Sequence, residues 1–86
     1  MTKIINTFAQ VDLSDIKNPV VVIYNSPVDY KGYFVARIWD MDKPTNTLML
    51  KKDLNKIRED IKAHCPNMVR LQRAKKDDPC IVETWI

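Results

Sequence analysis

Apolar residues along this chain come in short alternating blocks, and one block switches to helical spacing. Val20-Val21-Val22-Ile23-Tyr24 is an unbroken, largely β-branched run, bounded by Asn18-Pro19 before it and Asn25-Ser26-Pro27 after it. Such a run fits a strand covered on both faces, or a central one. Ser26 to Gly32 reads as a connection. Gly32 is the only glycine and stands just before the next strand, where a positive φ is often required. It is the position least expected to tolerate Ala. Tyr33 to Trp39 predicts a second strand, antiparallel to the first because so short a connection cannot make a parallel crossover. Its two faces are Phe34/Ala36/Ile38 and Tyr33/Val35/Arg37/Trp39. Asp40 to Pro44 reads as a turn and Thr45 to Leu50 as a third strand.

The period then changes. Leu50, Leu54, Ile57, Ile61 and Cys65 fall at helical spacing, with Asp53 as N-cap and Pro66 as the stop. Met68 to Arg73 alternates again, Ala74 to Pro79 reads as a turn, and Cys80 to Ile86 closes the chain as a strand. The first nineteen residues have Ile4, Ile5, Phe8, Val11, Leu13 and Ile16 without a clean period. They read as an edge strand plus turn or as a short helix, with one helical turn at Ser14 to Lys17. The expected fold class is therefore α+β: an antiparallel sheet, in the order βββαββ along the chain, with one helix on one face. Residues 1–86 read as one domain. One helix covers one face, so the other is wet, covered by the N-terminal segment, or used.

At 86 residues the chain has room for a single core. No apolar run approaches the roughly 20 residues that span a bilayer, and only Ile4 and Ile5 follow Met1-Thr2-Lys3 before polar Asn6-Thr7. These features predict a cytoplasmic protein. The net charge of +3 is uneven: residues 1–50 are neutral, residues 51–76 carry nine basic side chains against three acidic ones, and the last ten residues carry three acidic ones. Cys65 and Cys80 lack metal or redox spacing and read as reduced packing residues. His64, the only histidine, sits at the helix C-terminus, where it complements the dipole. Asp29, Asp40 and Asp42 could be imagined as a hydrolytic metal site, but Asp-x-Asp beside proline is ordinary turn composition. The chain predicts no catalytic residue, no metal site and no cofactor.

Two surfaces remain. If the helix covers Phe34/Ala36/Ile38 and Val82/Thr84, then Trp39, Trp85, Arg37, Glu83 and Tyr33 share the opposite face. Trp, Tyr and Arg are enriched at binding hot spots, so that face would suit a protein partner or a second copy of the chain. With the faces inverted, the tryptophans are core and Arg37–Glu83 is a supporting ion pair, since period 2 groups residues without saying which group is inside. The second surface is the basic stretch Lys51, Lys52, Lys56, Lys62, Arg70, Arg73, Lys75 and Lys76. It would meet a nucleic acid or another polyanion, or else is a solvated helix face followed by a lysine-rich turn. No aromatic lies between Lys51 and Lys76 to interleave stacking with charge.

Ser26-Pro27-x-Asp29-Tyr30, Phe34-Val35-Ala36-Arg37-Ile38-Trp39-Asp40, Pro44-Thr45-Asn46 and Ile81-Val82-Glu83-Thr84-Trp85-Ile86 together resemble a group of short uncharacterised proteins of Gram-positive bacteria and their mobile elements. The resemblance runs from Pro19 onward. It implies a bacterial accessory factor or inhibitor that acts by binding, and implies no chemistry. Gly32-Tyr33-Phe34-Val35-Ala36 and Leu54-x-x-Ile57-Arg58-x-x-Ile61 are also similar to the second strand and helix of HicB-type antitoxin domains. The acidic, proline-rich turn of that group is replaced here by Asp40 to Pro44, and no DNA-binding segment follows. That likeness bears on topology alone.

Overall fold

A computed structural model of the protein describes residues 2–72 and 79–86. Its strands are β1 (Lys3–Ile5), β2 (Pro19–Asn25), β3 (Phe34–Asp40), β4 (Lys43–Lys51), β5 (Arg70–Gln72) and β6 (Ile81–Trp85), with one helix, α1 (Leu54–His64), between β4 and β5. They form one mixed sheet in the order β1-β4-β3-β2-β6-β5. The α+β class expected from the pattern is what the chain adopts. A sixth strand is added because the Ile4-Ile5 pair is long enough to dock beside β4, in parallel, with Ile5 opposite Met49.

The β-branched run becomes a central strand. β2 is hydrogen-bonded to β3 on one side and β6 on the other, both antiparallel, with Pro19 at its first position, where a missing N–H costs least. Val21 and Ile23 are fully buried toward α1, and Val22 is buried on the opposite face. The β3–β4 connection is tighter than expected. Met41-Asp42 alone turn the chain, with Met41 at φ 56°, and Lys43 and Pro44 already belong to β4. The register shifts between Arg37 and Trp39, so Pro44 and Thr45 sit in an irregularity of the ladder. There the Thr45 hydroxyl donates to the Ile38 carbonyl at 2.6 Å and accepts from the Thr47 N–H at 3.3 Å. Gly32 has φ +85°, as its place before β3 required.

α1 begins at Asp53, whose carboxylate accepts from the Asn55 N–H at 2.9 Å, and ends with the Cys65 N–H donating to the Ile61 carbonyl at 2.6 Å. Its stripe, Ile57 and Ile61, packs with Ile5, Phe8, Val21, Ile23, Ala36, Ile38, Met49, Cys65 and Trp85. The N-terminal segment lies on this same side. Two 3-10 turns, Phe8–Gln10 and Leu13–Asp15, carry Phe8 into the core, with Val11, Leu13 and Ile16 packed against it. Asp60 of α1 fastens it, accepting from the Thr7 hydroxyl at 2.6 Å and the Phe8 N–H at 2.7 Å. The segment that could have covered the second face therefore joins the helix instead. Among the described residues, no helix is long and apolar enough to cross a membrane.

Candidate functional site

The two tryptophans expected on one open face lie on opposite faces. Trp85 pairs with Val21 and Glu83 with Ile23, whose side chains point under α1. Trp85 is 4% exposed and Glu83 3%. Glu83 meets Arg58 of the helix rather than Arg37. Arg58 Nη2 donates to Oε1 at 2.6 Å, Nε lies 3.2 and 3.3 Å from the two carboxylate oxygens, and the Trp85 indole N–H donates to Oε2 at 2.7 Å. These hydrogen bonds hold Arg58 above its already high ordinary pKa, against the opposing pull of burial. A buried carboxylate without partners is costly, so the helix delivers a guanidinium to the one buried charged residue among those described. Glu83 and Trp85 thus form the closed polar lock of the helix side and present little surface. Alternation grouped Glu83 with Trp85 but could not say which face of β6 meets α1; the pairing of Trp85 with Val21 and of Glu83 with Ile23 decides it.

Arg37 and Trp39 lie on the face away from α1. Arg37 is flanked across the sheet by Val22 and Leu48, its register partners, and both are buried. Val35, two residues back in β3, is buried on the same face. The connection expected between the first strands forms a 3-10 turn, Val28–Tyr30, and its residues make one wall of a pocket of about 280 Å³. Tyr24, Pro27, Asp29, Tyr30, Val35, Arg37, Trp39 and Pro44 line it. Arg37 Nη1 donates to the Thr45 carbonyl at 3.3 Å, a contact that the irregular stretch of β4 makes possible. The Trp39 indole N–H is buried without an acceptor among the described residues. An unmade bond of this kind costs about 1–3 kcal/mol, a large sum for a domain whose whole stability is about 4–13 kcal/mol.

Tyr33 stands apart from this pocket. It is partly exposed ahead of β3, with Lys52 Nζ 5.5 Å from its ring centre. Its place is taken by Tyr24 and Tyr30, which sequence reading did not single out. Tyr24 had a signal, since it alternates with Val20 and Val22 in β2 and lies opposite Val35. Tyr30 had none before the loop was seen to fold back.

The basic stretch lies on the other side of the molecule. Lys51 and Lys56 border a groove with Glu59 and Asp60, while Lys62, Arg58 and Arg70 border another with Glu59 and Trp85. Carboxylates interleave with these cations, and Arg58 is engaged by Glu83. Arg73, Lys75 and Lys76 lie outside the described residues. Cys65 and Cys80 are not joined in a disulfide, and burial, with Asp60 adding to it, pushes the Cys65 thiol above its ordinary pKa, away from reactivity. His64 Nε2 lies 3.7 Å from Asp60 Oδ1 at the helix end. Among the described residues no three His, Cys, Asp or Glu gather in a way that could hold a metal ion.

No family model, curated protein or solved structure matches this chain. The geometry of its own two faces is what bears on function.

Proposed function

We propose that the protein is a small non-enzymatic binding module that acts by protein–protein contact, with the sheet face opposite α1 as its contact surface. The observation that carries this reading is the division of labour between the faces. The helix and the N-terminal segment both cover one side, and the other keeps an aromatic pocket with an arginine and an unpartnered indole N–H. Such a face has the hot-spot residue types on a rigid strand, backed by buried Val22, Val35 and Leu48. The resemblance to short proteins of bacterial mobile elements supports an inhibitor or accessory factor, working in the cytoplasm on a protein partner or on a second copy of itself.

The test compares two surface variants in the whole protein. Trp39→Ala alters the open face, and Lys56→Glu/Lys62→Glu reverses charge on the helix side. Sedimentation across a concentration range, and capture from a bacterial lysate, should show association that survives raised salt, is lost in Trp39→Ala and is kept in the lysine variant. Salt-sensitive retention on heparin or single-stranded DNA, lost in the lysine variant and kept in Trp39→Ala, would replace this reading with nucleic-acid contact through the basic stretch.

A further inference from the structure

Arg58 of α1 lies on the helix side of the sheet and Arg37 of β3 on the other, and the fold treats the two differently. Arg58 is closed by Glu83 from its own chain. Arg37 stands between its register partners Val22 and Leu48, which are 8% and 0% exposed, and makes one hydrogen bond among the described residues, to the Thr45 carbonyl. No carboxylate among the described residues comes within 4.0 Å of it. Asp29 lines the same pocket but is exposed and forms no ion pair. A guanidinium has five N–H donors in a planar fork, and here most of them lack a protein acceptor on a surface that is otherwise apolar. Trp39 lines the same pocket, its indole N–H buried and without an acceptor among the described residues. Tyr24, Tyr30, Pro27 and Pro44 give the pocket apolar walls suited to a short hydrocarbon stem.

These features ask for a planar, singly charged acceptor on a short aliphatic stem. We infer that the pocket takes the carboxylate of a glutamate or aspartate side chain presented by a protein partner, with Arg37 as the anchoring cation. The inference rests on the reading of this face as the contact surface. A phosphodiester chain fits less well, because the pocket offers it the single cation Arg37 and the lysines bordering α1 lie on the other side. A guanidinium that merely covered Val22 and Leu48 with its stem would have no preference among anions.

The experiment follows the indole N–H signals of Trp39 and Trp85 and the Arg37 Nε–H signal by NMR. The probes are a blocked pentapeptide with one central glutamate, its glutamine counterpart, and inorganic phosphate at matched ionic strength. The glutamate peptide should give a saturable, millimolar shift at Trp39 and Arg37 and none at Trp85. The glutamine peptide should bind at least tenfold more weakly, as should the glutamate peptide to Arg37→Gln. An equal response to phosphate, an unchanged response in Arg37→Gln, or no response at all overturns the inference. If it falls while association is still lost in Trp39→Ala, the contact-face reading stands. If Trp39→Ala leaves association untouched, both fall.

Discussion

Replacing Glu83 by Ala should be among the most destabilising single changes in this protein, and its size follows from three atoms. The substitution leaves the Trp85 indole N–H buried without its 2.7 Å acceptor and removes the carboxylate that pairs with Arg58. An orphaned buried donor costs about 1–3 kcal/mol. Stripping one member from a fully buried pair costs about 3–5 kcal/mol. The Arg58 side chain is 29% exposed, so water recovers part of its loss, and the combined effect should be about 3 kcal/mol. For a domain of this size that lowers the melting temperature by roughly 12–24 °C. Glu83→Gln keeps an acceptor for Trp85 and should cost about half as much. Arg58→Met with wild-type Glu83 should cost at least as much as Glu83→Ala, because it leaves a carboxylate in the core. Urea denaturation of the three variants and of Arg58→Met/Glu83→Ala measures the coupling as a double-mutant cycle. A loss below about 1 kcal/mol for Glu83→Ala, or additive single effects, would refute the buried lock.

Three other outcomes follow from the same structure. Trp39→Ala should stay folded and lose about 1–2 kcal/mol, whereas Trp85→Ala should lose about 3–5 kcal/mol, because only Trp85 belongs to the packed core; urea midpoints at unchanged m-value decide it. Gly32→Ala should cost about 1–2 kcal/mol through its φ of +85° alone, since a methyl group there meets no atom within 4 Å; an unchanged midpoint would rule out backbone strain. The Ser14 N–H and hydroxyl both donate to Asp12, holding its carboxyl below the ordinary carboxylate value. A depressed folded pKa stabilises the turn at neutral pH, and that contribution is lost as pH falls through the folded value. The Ser14 amide should therefore lose its downfield NMR shift only on strong acidification, at a midpoint below that of an unstructured Asp.

Local pattern alone settled the elements whose signals are local. The stripe from Leu54 to Cys65 could only be a helix, with Asp53 and Pro66 at its ends. The Val20–Tyr24 run had to be a strand covered on both faces or a central one, and it is the central β2, while Gly32 had to bend the chain, because each depends on spacing or on a single residue's allowed backbone angles. Which side of each strand faced α1 was a different kind of question. Alternation placed Arg37 with Trp39 and Glu83 with Trp85 correctly, yet gave no means of relating one pair to the other across strands far apart in sequence. The register of β6 against β2 decided it, by setting Trp85 beside Val21 and Glu83 beside Ile23 under the helix. The same non-local choice sent the N-terminal segment to the helix side, through Asp60 and Phe8, and left Arg37 with the Thr45 carbonyl and no carboxylate partner among the described residues. The sequence thus determined that two aromatic and charged strand faces exist. Tertiary pairing made one of them a core lock and left the other open, because burial is a property of what lies opposite a strand and not of the strand itself.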